Sequence, residues 1–188
     1  PLESLNVWDL DTVDNGVMDY FHDHLQQDKE WDVMIGHMLG IDHVGHKYGP
    51  DHFTMREKQI QVDQFIDWIL KSIDDDTLLV ILGDHGMDHT GNHGGDSIDE
   101  LESTLFLYSK KPDMWRLKET SNYNIDNLGH DYRSVRQIDL VSSLALLMGQ
   151  PIPFNNLGWP IDEIARNDRE WSQFVNSAIS QLQLYKDT

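Results

Sequence analysis

The feature that most constrains this chain is an apolar run that ends abruptly in a polar turn. Leu78-Leu79-Val80-Ile81-Leu82 leads directly into Gly83-Asp84-His85-Gly86. An aliphatic run without alternation fits a strand covered on both faces, and it falls far short of the ~20 residues that cross a bilayer. The fold has to bury this strand and then present a carboxylate and an imidazole at its carboxyl end. The flanking glycines allow the backbone curvature that turns two adjacent side chains toward one point.

The surroundings extend that unit. Asp32 to Leu39 reads as a second, mostly buried strand, closed by Gly40 and followed by a polar loop from Asp42 to His52. Thr54-x-x-Glu57 has the form of a capping box, and it predicts a helix to about Ile73 with Val62, Phe65, Ile66, Ile69 and Leu70 on one stripe. Strand, helix and strand over so short a span predict a right-handed βαβ crossover with parallel strands. Both loops then leave the same carboxyl edge of one sheet, where open α/β sheets place their ligands. Elsewhere, periodicity predicts helices over Val13–Gln27 and Ile138–Met148, the second stopped by Gly149 and Pro151, and a strand over Ser103–Tyr108. Lys110 to Ser134 is polar and irregular. Pro160 suits the first position of a last helix reaching about Leu184, with Ile164, Trp171, Val175, Ile179 and Leu182 as its stripe.

Composition narrows the function. The chain has 188 residues, with 14 Lys+Arg against 33 Asp+Glu and a formal charge of −19. That balance argues against a nucleic-acid binder, which needs clustered cations for the phosphate backbone, and against a basic membrane-surface patch. Cysteine is absent, which removes disulfides, thiolate metal sites and Cys nucleophiles. There is no signal-peptide pattern, and the chain opens on Pro1, as an excised piece of a longer protein would.

Histidine is unevenly spread. Nine of the ten His lie between His22 and His93, and only His130 falls outside. Three motifs hold the chemistry: Asp42-x-x-Gly-His46, Gly83-Asp84-His85-Gly86 and His93-Gly94-Gly95. Carboxylate oxygen with imidazole nitrogen is the donor set of zinc or a similar divalent ion. Asp42 and His46, four apart, can meet an ion from a loop or from a helical turn. Five donors exceed one tetrahedral site and fall short of two, so they predict a two-metal site completed by one or two donors from elsewhere. Each motif alone is an ordinary turn; their order on successive strand ends is the specific signal.

That order, Asp42-x-x-Gly-His46-x-x-Gly-Pro50, then Gly-Asp84-His85-Gly-Met87, then His93-Gly-Gly, closely resembles the alkaline-phosphatase superfamily. The runs from Gly36 to Pro50 and from Gly83 to Ser97, with Gln137-Ile-Asp-Leu-Val and Pro151-Ile-Pro-Phe-Asn-Asn-Leu-Gly158, are similar to the GPI ethanolamine phosphate transferases, in the branch acting on the third mannose. The resemblance implies an α/β fold, alkaline-phosphatase-like, with a largely parallel sheet, helices on both faces, and an N-terminal strand and nucleophile helix absent from this chain. Residues 1–188 would then be the C-terminal portion of a single catalytic domain, with its core at about 30–150 and a C-terminal helix at about 160–184. Two divalent ions, Zn²⁺ by resemblance, are implied: one on Asp42, His46 and His93, the other on Asp84 and His85. A Thr nucleophile is implied upstream, since nothing in Pro1 to Trp31 matches its motif, so this chain alone would be inactive. The implied reaction moves phosphoethanolamine from phosphatidylethanolamine to that Thr and then to a mannose hydroxyl of the GPI-precursor glycolipid. The implied setting is the endoplasmic reticulum membrane, with this domain in the lumen and a small membrane partner subunit.

Other readings stay open at this point. A nucleotide pyrophosphatase/phosphodiesterase-like hydrolase shares the first two motifs, but such hydrolases place the last His ligand much further on than His93. A non-catalytic, metal-stabilised binding module is the other class. Around the motifs, His43, His52 and His89 read first as solvent-exposed loop residues and second as contacts to the ligands or a substrate phosphate. Asp96 divides evenly between orienting a ligand imidazole and capping a turn. Asp88 reads as solvent-facing, His37 as a buried or sheet-face residue, and His22, His24 and His130 as structural or surface.

Overall fold

A computed structural model describes residues 6–25, 31–111, 134–165 and 167–186, with residues 181–186 as backbone only. The chain divides into two compact units, Pro1–Lys110 and Lys111–Thr188.

In the first unit the apolar stripe of one long helix organises the core. Helix α1 spans Thr12–His24, α2 Gly40–Tyr48, α3 Phe53–Ser72 and α4 Ile98–Leu101; strand β1 spans Leu79–Leu82 and β2 Leu105–Tyr108. Phe65 and Ile69, one turn apart on α3, are buried with Leu25 and Ile73, and Met18, Phe21, Trp31, Met34, Met38, Trp68, Leu79 and Tyr108 close around them. Phe21 meets Phe65 edge-on at 5.6 Å between ring centres, a favourable aromatic geometry. The strands pair antiparallel, with Leu79 opposite Tyr108 and Leu82 opposite Leu105.

Several sequence expectations change here. The α/β mixture holds, but residues 32–39 form no strand, and the sheet formed by the described residues has two antiparallel strands rather than a parallel βαβ pair. Apolar extended backbone becomes a strand only where a neighbour supplies the ladder hydrogen bonds. In this segment Met34 and Met38 pack on the core, while Val33 and Ile35 stay exposed. His37 is accordingly exposed, not buried in a sheet. The polar loop after Gly40 is instead helix α2. Thr54 does not cap α3; His52 does, its Nδ1 accepting the Thr54 N–H at 3.3 Å.

In the second unit α5 spans Gln137–Leu147 and α6 Asp168–Lys186. Gly149 follows α5 at φ 65, the left-handed position that suits glycine after a helix. The segment after it lies along α5. Asp139 Oδ1 accepts the Trp159 N–H at 2.7 Å, and Ser143 Oγ accepts the Ile161 N–H at 2.9 Å. A Cβ on Gly158 would sit 1.9 Å from the Ile138 carbonyl oxygen, so this approach requires glycine. Pro160 opens no helix; a single 3-10 turn over Asp162–Ile164 intervenes, and α6 starts at Asp168. Ile161, Ile164 and Ala165 are buried. The irregular stretch predicted after Lys110, with His130, lies mostly outside the described residues. Among the described residues no helix is long and apolar enough to cross a membrane.

Candidate metal centre

Asp42 and His46 come from one helix. Four residues apart on α2, they share a face, and His46 Nε2 lies 3.4 Å from Asp42 Oδ1. His93 arrives from the loop after β1, its Nε2 also 3.4 Å from Asp42 Oδ1. One donor atom from each of the three residues falls within a 4.8 Å cluster. His85 stacks on His93 at 3.8 Å between ring centres, and its Nε2 lies 3.6 Å from Asp84 Oδ2. All five sequence-selected ligands therefore form one connected group, with Asp84 as its exposed end.

This donor set fits a divalent cation on two observations. Asp42 Oδ1 is buried and accepts no hydrogen bond among the described residues. Burying a carboxylate oxygen without a partner is costly, so a cation at that oxygen is the natural complement. Two donors on one tetrahedral Zn²⁺, each about 2.0–2.1 Å away, lie about 3.4 Å apart; both imidazole-to-carboxylate distances match that spacing. His85 Nδ1 lies 2.8 Å from the Gly86 carbonyl oxygen. A carbonyl only accepts, so Nδ1 carries the proton and Nε2 keeps its lone pair for a metal.

Glycines make the two halves meet. A Cβ on Gly45 would lie 2.1 Å from Met87 Sδ, and one on Gly91 2.1 Å from the Gly45 carbonyl oxygen. The glycine within Asp42-x-x-Gly-His46 thus lets the loop carrying His85 and His93 lie against α2. Carboxylates outside the ligand set shape that loop. Asp88 Oδ1 accepts from the Thr90 N–H and hydroxyl and from the Asn92 N–H, at 2.8, 2.7 and 3.0 Å. The Thr90 hydroxyl, more than any other partner, holds the Asp88 carboxyl below its ordinary range. Glu100 accepts the Gly95 N–H at 2.8 Å and the Ser97 hydroxyl at 2.6 Å. The Ser97 hydroxyl is the main cause of its lowered pKa. Asp88 therefore faces solvent, as expected, and also organises a turn. Ser97-x-x-Glu100 is a legible capping box, so Glu100 was within reach of sequence reading.

The flanking residues separate. His43 is buried, not a loop residue, and its Nδ1–H donates to the Asp9 carbonyl at 2.8 Å. His52 caps α3 and stacks on Tyr48 at 4.5 Å between ring centres. His89 and Asp96 are exposed. None of these four is in the cluster around Asp42.

A family model described as type I phosphodiesterase / nucleotide pyrophosphatase matches residues 4–139. The chain belongs to this family. Over 192 aligned residues it is 64% identical to a protein named GPI ethanolamine phosphate transferase 3 from Eremothecium gossypii, covering 100% of this chain and 19% of that protein. It is 49% identical to the Schizosaccharomyces pombe protein of that name, over 87% of this chain and 17% of that one. The Homo sapiens protein named GPI ethanolamine phosphate transferase 3, catalytic subunit, is 43% identical over 95% of this chain and 15% of its own length. The chain thus spans about a fifth or less of the length of these curated relatives. No solved structure gives a significant match. Residues 4–139 contain all five members of this type I phosphodiesterase family member's candidate metal centre.

Proposed function

We propose that the protein carrying this chain transfers phosphoethanolamine from phosphatidylethanolamine to a mannose hydroxyl of the GPI-anchor precursor, the third mannose being the acceptor. The observation that carries this reading is the buried Asp42 Oδ1, which accepts no hydrogen bond among the described residues and faces two imidazole nitrogens, in a chain whose relatives are named for that transfer.

Asp42, His46 and His93 would hold one divalent ion, and Asp84 and His85 part of the shell of a second; Zn²⁺ suits both sets. Bound there, such ions lower the pKa of a hydroxyl nucleophile and stabilise the oxygens of an in-line phosphoryl displacement. The nucleophile, a Thr, would come from outside this chain, and the chain alone would be inactive. Its own residues fix donor geometry: α2 holds Asp42 and His46 in register, and Gly86 holds the proton of His85 on Nδ1. The setting we propose is the endoplasmic reticulum membrane, with this segment in the lumen beside a small membrane partner subunit. The superfamily's largely parallel sheet would be supplied by the rest of the protein, the described β1–β2 pair being antiparallel.

Replacing His85 by Ala in the full-length protein tests this. Phosphoethanolamine transfer should be lost while circular dichroism keeps its helical signal; unchanged transfer would rule out the ligand role. The family's hydrolase branch is the second reading, favoured by the description of the matching model. Loss of a metal ligand in His130→Ala but not in His93→Ala would favour it. The 3.4 Å approach of His93 to Asp42 supports the transferase reading.

A further inference from the structure

We propose that the buried Asp14–Lys58 pair is a positioning device for the metal centre: it fixes where α2 begins and so seats Asp42 and His46. Asp14 is 1% exposed and Lys58 5% exposed, and they come from α1 and α3, neither of which supplies a candidate ligand. Asp14 Oδ1 accepts the Leu39 N–H at 2.8 Å and the Gly40 N–H at 3.0 Å. These amides open α2, whose first N–H groups have no partner within the helix, and the residue preceding it, Leu39, has no side chain to cap them. A negative charge there also complements the positive end of the helix dipole. Asp14 Oδ2 makes no hydrogen bond among the described residues and lies 3.5 Å from Lys58 Nζ. Nζ is itself held by Asp11 Oδ1 and Gln61 Oε1, each at 2.7 Å.

The approach is close. A Cβ on Gly40 would lie 2.2 Å from Asp14 Oδ2 and 2.8 Å from the Leu10 carbonyl oxygen. The start of α2 therefore cannot slide without breaking both hydrogen bonds or colliding with α1. Asp42 and His46 follow on the same short helix, so a displacement of its first turn moves both donors together. A buried ion pair adds little net stability over apolar side chains of similar volume. What Asp14 supplies here, and an apolar side chain could not, is acceptance of two N–H groups at one fixed point.

The metal half of this inference rests on the reading of Asp42, His46 and His93 as ligands, so the test has two arms in the full-length protein. The first titrates Zn²⁺ alone into wild type, Asp14→Ala, Asp14→Asn and a His46→Ala control. The second follows amide hydrogen exchange at residues 39–46 without metal. Asp14→Ala should weaken Zn²⁺ binding by up to roughly 10-fold, the lower end of the loss when a ligand's own hydrogen-bond partner is removed, and speed exchange at Leu39 and Gly40. Asp14→Asn keeps an acceptor oxygen but not the charge, and should fall between Ala and wild type in both arms. Wild-type affinity and exchange in folded Asp14→Ala would overturn the proposal. If Asp14→Ala does not fold, the same result in Asp14→Asn would overturn it. Should wild type and His46→Ala bind Zn²⁺ equally, the metal reading fails, and the exchange arm still decides whether Asp14 anchors α2.

Discussion

Asp42 is the residue where geometry and chemistry meet: its Oδ1 is buried, accepts no hydrogen bond among the described residues, and has two imidazole nitrogens at 3.4 Å. Asp42→Ala in the full-length protein should remove about one equivalent of bound zinc, measured by elemental analysis after gel filtration. Retention of the full complement would show that His46 and His93 do not share an ion through it. A second residue makes a different prediction. Asp9 accepts N–H bonds from Asp11 and Thr12 just ahead of α1. Those bonds, the Thr12 N–H foremost, bring its pKa from 3.8 down to about 2. The folded-state pKa is depressed, so the stabilisation is present above the unfolded pKa near 4 and disappears as pH falls toward 2. Denaturation midpoints taken between pH 5 and pH 2 should therefore fall less steeply in Asp9→Asn than in wild type. Parallel curves would show that the Asp9 bonds do not persist in solution.

Helix α2 separates what the sequence declares locally from what only packing decides. The candidate donors are legible, because Asp and His spaced around glycines at the ends of apolar runs state their chemistry locally, and three of them converge in the structure. The helix that carries two of them is not legible. Gly40 and Gly45 weaken helix propensity within it, and its capping carboxylate comes from Asp14, 26 residues earlier. Such a cap is a tertiary contact that no local pattern announces. The segment at 32–39 failed in the opposite way: its composition suits a strand, but strand identity depends on a pairing partner. The same logic separates two glycine substitutions. At Gly45 an added methyl meets the tip of Met87, which can swing aside. At Gly91 it meets the Gly45 carbonyl oxygen, which cannot, and the backbone there has φ 85. Gly91→Ala should thus cost about 1–3 kcal/mol, read by chemical denaturation, and weaken zinc binding. Gly45→Ala should cost less and be relieved by adding Met87→Ala. Equal effects of the two substitutions would mean that the loop does not rest on α2.

Charge and donor count together govern how the chain should respond to zinc. The chain carries −19, and two divalent ions would bring it to −15. Five candidate donors form a connected group, yet only Asp42, His46 and His93 of the five converge within a single cluster; Asp84 and His85 would leave a second ion short of a full shell. The two ions should therefore depend on different residues. In the full-length protein zinc content should be about two per chain, falling to about one in both His93→Ala and His85→Ala. Their affinities should differ as well, because the first site draws three donors from this chain and the second draws two. Saturating zinc at about 100 times its dissociation constant adds roughly 2.7 kcal/mol to stability. Thermal unfolding in a graded chelator series should accordingly show two steps in wild type. His85→Ala should keep one step and His93→Ala the other. A single step in wild type, or loss of both ions in either variant, would mean that the five residues build one shared centre rather than two.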